Sequence, residues 1–130
     1  GHIYSMPKLH CVQSRNVMPL VAALNGEYWT ADQATKTIAG GISIAAPSRQ
    51  WQILDILRLT GGSAVAVEES SILQMQRDLA EREGIFAEPT SAAAFAGLEI
   101  LTNSGVIHPD DNVLVPVTGF GLKDEPPISA

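Results

Sequence analysis

The sequence predicts an α/β protein in which helices cover a mainly parallel sheet, giving three layers. Short apolar runs alternate with helix-like segments along the chain, and the runs SAVAV (63–67) and VLVPV (113–117) are separated by enough residues for helices. A crossover of that length implies a parallel, right-handed connection. Aromatic residues make up only 5% of the chain while small aliphatic residues dominate, which is typical of helices packed on a parallel sheet.

The first third of the chain predicts one strand, one helix and a long loop. Leu9–Gln13 (LHCVQ) is a short apolar run that predicts the strand. Pro19 suits the first turn of the helix that follows, and Asn25 with Gly26 ends that helix. Residues 27–47 have weak periodicity and many small residues, which predicts a loop.

The middle of the chain predicts a helix, a buried strand and a second helix. Ser48 is positioned to cap the helix RQWQILDILRL, and Gly61 ends it. The continuous apolar run Ser63–Val67 is typical of a buried parallel strand. The pattern over Ser70–Glu83 then predicts a helix for which Gly84 is the natural stop.

The helical pattern is interrupted at EPTS (88–91). A residue before proline is disfavoured in the α region, so the preceding helix must end before Glu88. Thr90 or Ser91 then supplies an oxygen to cap a helix of mostly small and apolar residues over Ala92–Leu101. One interpretation of Glu88 is structural: it lies where one helix ends and the next begins. The other is functional: its carboxylate could line a binding site. The residues alone leave both interpretations open.

The last predicted strand is Val113–Val117. Pro116 cannot donate to a strand ladder, so this strand should lie at an edge, and the polar tail 121–130 should be irregular. Ligands of parallel sheets bind beyond the carboxyl ends of the strands. Of the places this rule selects, only the one after Val117 has a Thr-Gly turn. The Thr118 hydroxyl is therefore the strongest candidate for a ligand contact; the alternative is that Thr118 is simply a turn residue.

Composition argues against several functions. The net charge of −6 is unfavourable for nucleic acid or an anionic membrane surface. Cys11 is the only cysteine, so no intrachain disulfide can form, and a buried apolar role in a reducing, cytoplasmic setting is expected. His2, His10 and His108 lack the spacing of metal ligands. We therefore predict no metal site, nucleic-acid partner or membrane partner.

Known catalytic motifs are also missing. The sequence has no G-x-S-x-G elbow and no glycine-rich phosphate loop, so no catalytic residue is predicted. Gly40 and Gly41 lie among apolar residues, where two flexible positions could let a ligand approach the backbone closely.

Three motifs carry a resemblance to a known family. TIAGGI (37–42), GIFAEPTSAAAFAGL (84–98) and VLVPVTGFGLKD (113–124) resemble, in order and spacing, the C-terminal part of pyridoxal-phosphate enzymes of the tryptophan-synthase-β fold (fold type II). Within that group the chain is most similar to threonine synthase. With PKLHCVQ (7–13), the resemblance covers roughly residues 6 to 126.

The resemblance implies a cofactor and three residues that bind it. Pyridoxal phosphate would receive a hydrogen bond at its pyridine nitrogen from Thr118, Gly41 would pass its backbone close to the ring, and Glu88 would line the pocket. A neutral hydroxyl at the ring nitrogen leaves the ring less fully protonated than a carboxylate would. The implied reaction converts O-phospho-L-homoserine and water to L-threonine and phosphate, and the implied ligand is a small amino acid.

Two positions depart from the family pattern: Gly40 stands where an acidic residue is usual, and Phe120 where histidine is common. These departures leave the substrate open. A threonine/serine dehydratase, a cysteate-synthase-like enzyme or a non-catalytic α/β scaffold are the alternatives.

The resemblance also divides the chain. Residues 1–5 are interpreted as a cloning remnant or linker, and residues 6–130 as the C-terminal portion of the large domain. The family's cofactor-bearing lysine and phosphate loop lie upstream of the matching region, so we expect this chain alone to be inactive. A partial sheet exposes apolar strand edges, so a homo-oligomer is expected.

Overall fold

The structure, a computed structural model, describes residues 4–123 and confirms the α/β class. The elements follow the predicted alternation of strands and helices; they are β1 (Cys11–Ser14), α1 (Pro19–Asn25), α2 (Gln50–Thr60), β2 (Ala64–Val67), α3 (Glu69–Glu83) and α4 (Pro89–Asn103). Three short 3₁₀ turns span Ala31–Gln33, Gly40–Ile42 and Gly121–Lys123. The interpretations of residues 1–3 as part of a cloning remnant and of residues 124–130 as an irregular tail lie outside the described residues.

The two strands pair in parallel, from Cys11 opposite Ala64 to Ser14 opposite Val67. β1 begins two residues later than the apolar run suggested. The backbone N–H of Leu9 instead donates to the Thr60 hydroxyl.

Two neighbouring residues of β1 show that helices cover both faces of this sheet. The Gln13 side-chain oxygen accepts hydrogen bonds from the backbone N–H groups of Leu20 and Val21, at 2.9 and 3.1 Å, so α1 lies on its face. The Val12 side chain abuts Gly97 of α4. Because successive strand residues point to opposite faces, α1 and α4 lie on opposite sides and the sheet is the middle layer.

The main core lies between the sheet, α3 and α4. Most of the α4 residues in it are alanine, whose small side chains let the helix approach closely; the buried members are Ala39, Val67, Ile72, Leu79, Ala87, Ala92, Ala93 and Ala96. The many small side chains of the EPTSAAAFAGL stretch are therefore required for this close packing.

The predicted helix stops are confirmed at three glycines. Gly26, Gly61 and Gly84 all have left-handed backbone conformations, with φ of 72°, 66° and 68°. Glycine adopts this conformation without the steric cost of a Cβ atom.

Pro19 begins α1 as predicted, but the predicted starts of two later helices are wrong. Arg49, not Ser48, is the N-cap residue of α2. At α4 the N-cap residue is Glu88, not Thr90 or Ser91, and the helix begins directly at Pro89. Proline is favoured at the first helical position because its fixed φ suits the helix and its missing N–H would have had no helical partner there.

The predicted strand Val113–Val117 is also wrong. No part of it pairs with another strand in residues 4–123, and the nearby pairing is an isolated antiparallel bridge between Ala87 and Phe120. A cleft of about 660 Å³ lies between residues 111–116 on one side and Val12 with the approach to β1 on the other. An apolar run predicts an extended backbone, but only a neighbouring strand makes it part of a ladder.

Two further features concern membranes and metals. No helix within the described range 4–123 is long and apolar enough to cross a bilayer. Over the same range, no cluster of three or more His, Cys, Asp or Glu side chains is placed to hold a metal ion.

Candidate functional site

The segment that follows Val113–Val117 folds back onto the residues that precede α4. The backbone N–H of Glu88 donates to the carbonyl of Gly119 at 3.0 Å, and the N–H of Gly121 donates to the carbonyl of Phe86 at 2.8 Å. This short antiparallel pairing joins two distant sequence motifs, GIFAEPTS and TGFGLKD. It places Thr118 directly beside the first turn of α4.

Four side chains form a connected hydrogen-bond network there. Thr118 Oγ1 lies 3.0 Å from Glu88 Oε1 and 3.0 Å from Ser91 Oγ. The other carboxylate oxygen of Glu88 forms an ion pair with Lys123 Nζ at 2.5 Å. Ser91 Oγ also accepts the backbone N–H groups of Thr118 and Gly119, at 2.9 and 3.3 Å.

The ion pair keeps Glu88 ionised although its side chain is only 10% exposed. The Lys123 ammonium holds the pKa of the Glu88 carboxyl below its usual value, against the opposing effect of desolvation, and the Thr118 hydroxyl adds a smaller contribution in the same direction. The carboxylate is therefore available as a hydrogen-bond acceptor at neutral pH.

This ion pair predicts a pH-dependent stability. We expect the free energy of unfolding to fall as the pH drops below 4.5, the ordinary value for glutamate. Since the folded chain has the lower pKa, the stabilisation is fully present above the unfolded value and is lost as the pH falls through the folded pKa. Urea unfolding from neutral to acid pH, with Glu88→Gln beside the native chain, measures the effect; the variant should lose much of this dependence. Glu99→Gln, at an exposed position of the same helix, is the control, and equal pH slopes for Glu88→Gln and the native chain would contradict the prediction.

Gly41, the third predicted site residue, contacts the same helix turn. Its backbone N–H donates to Thr90 Oγ1 at 3.0 Å. A Cβ atom at this position would lie only 2.8 Å from that oxygen, so the close approach requires glycine. Thr118, Glu88 and Gly41 are thus brought together around the start of α4.

The loop that carries Gly41 is held by a residue that the sequence analysis missed. The Glu69 carboxylate, at the start of α3, accepts hydrogen bonds from the hydroxyls of Ser14 and Thr37 at 2.5 and 2.7 Å and from the backbone N–H of Ile38 at 2.7 Å. It therefore ties the end of β1 to the TIAGGI loop. The only signal in the sequence was its position just after a buried strand.

We expect Glu69→Ala to lower the free energy of unfolding by about 2–4 kcal/mol, because hydrogen bonds to a charged group contribute about 1.5–3 kcal/mol each and Ser14 would be left fully buried without an acceptor. The neighbouring Glu68 provides a matched control: its ion pair with Arg15 joins side chains 62% and 52% exposed, so Glu68→Ala should cost less than about 1 kcal/mol. Chemical denaturation compares the two, and equal losses would contradict the assigned role of Glu69.

The remaining candidates lie away from this network. His10 Nδ1 accepts the backbone N–H of Ser63 at 3.2 Å, which agrees with a structural histidine, and desolvation lowers its pKa, with a smaller contribution from Lys8. Burial raises the pKa of the Cys11 thiol to about 11. The thiol is therefore protonated at neutral pH and a poor nucleophile.

Comparison with known proteins agrees with the motifs around α4. The family model for pyridoxal-phosphate dependent enzymes matches residues 2–119. The chain belongs to this family. Its members depend on pyridoxal phosphate, so the family's cofactor is the one that the three motifs implied.

Relatives of this family member include several threonine synthases. The chain is 38% identical to the threonine synthase of Methanosarcina acetivorans over 122 residues, which is 92% of this chain and 30% of that enzyme. It is 36% identical to that of Methanocaldococcus jannaschii over 126 residues, 95% of this chain and 31% of the relative. The chain thus spans about a third of the length of these relatives.

A solved structure shares the fold. The crystal structure of a threonine deaminase from T.th. aligns with 91% of this chain and 41% of its own, with a TM-score of 0.61 and 22% identity. The α/β architecture therefore corresponds to part of a fold type II enzyme.

The residues around Thr118 fit the ring end of the family's cofactor. Thr118 is exposed, and a hydroxyl is a suitable hydrogen-bond partner for a ring nitrogen. Gly41 and Gly119 carry no side chains that would cover it. Phe120, 59% exposed, adds an apolar surface next to this position.

Proposed function

We propose that this chain is the C-terminal portion of a threonine synthase, which converts O-phospho-L-homoserine and water to L-threonine and phosphate. The observation that carries the proposal is the meeting of Thr118, Glu88 and Gly41 at the first turn of α4. The threonine synthases among its relatives, at 36–38% identity over most of the chain, support the choice of substrate.

In this proposal each residue has a defined task. Thr118 holds the ring nitrogen of pyridoxal phosphate, Gly41 allows the backbone to come close to the ring, and Glu88 orients Thr118 from behind. When bound, the cofactor supplies an electron sink for the amino-acid substrate. The protein's contribution from this region is to fix the position and the hydrogen bonding of the ring.

The reaction is tested on the protein as its gene encodes it. Release of phosphate from O-phosphohomoserine with formation of threonine is the expected result. Release of ammonia from threonine instead would assign the deaminase activity named for the structural neighbour and would overturn the proposal.

Thr118 tests the assigned ring contact in the same assay. Thr118→Val should lower kcat/KM about two- to tenfold, because a hydrogen bond between neutral groups contributes about 0.5–1.5 kcal/mol. Thr118→Ser keeps the hydroxyl and serves as the control. Equal activities of the two variants would argue against this contact.

We also propose that the chain self-associates in the cytoplasm. Each strand of the sheet has an edge without a strand partner in residues 4–123, and Leu114 is 90% exposed beside the open cleft. Such edges and apolar side chains favour pairing with a second copy. Sedimentation of the purified chain should give a mass that rises with concentration; a monomer at all concentrations would contradict self-association.

A further inference from the structure

The edge of β1 that faces away from β2 presents backbone groups to which another strand can bind. The N–H groups of Cys11 and Arg15 donate to the carbonyls of Ser63 and Val67, so alternate residues of β1 direct their backbone groups at β2. The backbone N–H and carbonyl of Val12, which lies between them, therefore point to the opposite edge. No strand pairs with that edge in residues 4–123.

A pocket lies on each face of the sheet beside this edge, and Val12 lines both. On the α4 side is the cleft of about 660 Å³, to which α4 contributes Ala94 and Leu98. On the α1 side is a smaller pocket of about 180 Å³, to which Leu20 and Ile53 contribute. Because successive side chains of a strand point to opposite faces, an extended segment along this edge would place its side chains alternately in the two pockets.

The far wall of the cleft is an apolar run that also has no strand partner in residues 4–123. Residues 111–116 line the cleft opposite Val12, and within this wall Val113 and Leu114 are 46% and 90% exposed. Large apolar side chains exposed together mark a surface that another segment covers. A strand bound to the β1 edge would lie between β1 and this run and would cover both.

We propose that the β1 edge binds one extended apolar strand supplied by the part of the protein that lies outside this chain. This inference rests on the proposed function, which makes the chain a portion of a longer enzyme. The threonine synthases related to it are matched over only 30–31% of their length, so they contain further chain that can supply a strand. When a strand adds to a sheet edge, main-chain hydrogen bonds give affinity and the pockets for alternate side chains give specificity. The unequal pockets therefore select large side chains on the α4 side and small ones on the α1 side.

The walls of the cleft favour a single strand over a second copy of this chain. In a second copy both faces of β1 are covered by helices, α1 on one side and α4 on the other. Such a layered body cannot enter between residues 111–116 and β1, whereas one extended segment can. Pairing of two copies is then left to the outer edge of β2.

The first test uses the 130-residue chain and the synthetic peptide Lys-Lys-Leu-Ala-Leu-Ala-Leu-Lys-Lys, acetylated and amidated at its ends. Its leucines can all enter the cleft while its alanines face the smaller pocket, and we expect one peptide to bind per chain in calorimetry. The control Lys-Lys-Leu-Leu-Ala-Ala-Leu-Lys-Lys has the same composition and charge but must place leucine on both faces. It should bind about fivefold or more weakly because of overpacking; equal affinities, or no binding of either peptide, would overturn the inference.

A variant of the cleft locates the bound peptide. In Ala94→Phe the new ring occupies the cleft from the α4 side, so binding of the alternating peptide should weaken about fivefold or more. Ile100→Phe is the matched control, because Ile100 lies on the same helix, is 39% exposed and does not line the cleft. Circular dichroism checks that both variants keep their helices. Equal binding by the two variants would place the peptide elsewhere and overturn the inference.

The source of the strand is tested on the protein as its gene encodes it. Without substrate or cofactor, hydrogen exchange of the Val12 amide should be at least about tenfold slower there than in the 130-residue chain, and the alternating peptide should bind only the shorter chain. Equal exchange in the two proteins would overturn the inference, as would protection in the shorter chain that rises with its concentration, because a second copy would then cover the edge. A protein that protects Val12 but forms no threonine would overturn the proposed reaction alone.

Discussion

Gly62→Ala is expected to destabilise the chain by more than about 3 kcal/mol, the upper end of the cost of overpacking. A Cβ atom at this position would lie 1.6 Å from the carbonyl oxygen of Leu9 and 2.7 Å from its carbonyl carbon. Both are backbone atoms on the approach to β1, so no side-chain rotation can relieve the clash. Gly62 is also tied to α2, because its N–H donates to the carbonyl of Leu57 at 2.8 Å. The substitution must therefore separate β1 from the end of α2.

Gly40→Ala is the matched control for this prediction. The backbone of Gly40 is not in the left-handed region, and a Cβ atom there would meet nothing within 4 Å. The control should change the free energy of unfolding by less than about 1 kcal/mol, mostly through the unfolded state. Urea unfolding compares the free energies of unfolding of the two variants. Similar values would contradict the close contact between Gly62 and the backbone of Leu9.

Gly97→Ala is the second large effect, because this glycine sets the distance between α4 and the sheet. A Cβ atom would lie 2.2 Å from one methyl carbon of Val12 and 2.7 Å from the other. Alanine favours a helix over glycine by about 1 kcal/mol, whereas overpacking costs about 1–3 kcal/mol. We expect the clash to dominate and the variant to lose about 1–2 kcal/mol in thermal or urea unfolding.

A double-mutant cycle with Val12→Ala separates the clash from other effects. Truncating Val12 removes both methyl carbons that the new Cβ would meet. In that background Gly97→Ala should cost little or become stabilising, with a coupling energy of about 1–3 kcal/mol. Additive losses would mean that Gly97 is needed for a reason other than its contact with β1.

These two glycines mark the limit of what the sequence could predict about the fold. Glycines that end helices follow a pattern readable in the chain, and Gly26, Gly61 and Gly84 were predicted from it. Gly62 and Gly97 are required by contacts with residues 53 and 85 positions earlier, Leu9 and Val12. No local pattern encodes such contacts, because they depend on how the elements pack.

The residues of the candidate site also fall into two groups: those selected from the sequence and those found only in the structure. Thr118, Glu88 and Gly41 were selected from the sequence through motifs whose order and spacing resemble a family, and the structure places all three at one helix turn. Ser91 was considered only as a helix cap, and Lys123 only as a non-catalytic part of the TGFGLKD motif. Their contacts with Thr118 and Glu88 arise from the antiparallel pairing of two segments about 30 residues apart, which no spacing rule predicts.

By itself the sequence determined the α/β class, the helix stops and the motifs that place the chain in its family, because these depend on local propensity, periodicity and short-range turn chemistry. Only the tertiary structure decided that Val113–Val117 pairs with no strand within residues 4–123, that Glu69 holds the TIAGGI loop, and that the Thr118 hydroxyl donates to Glu88. Strand pairing, buried hydrogen bonds and the direction of a hydroxyl proton are properties of neighbours in space. The neighbours of Thr118 are set by the fold and not by the residues next to it in the chain.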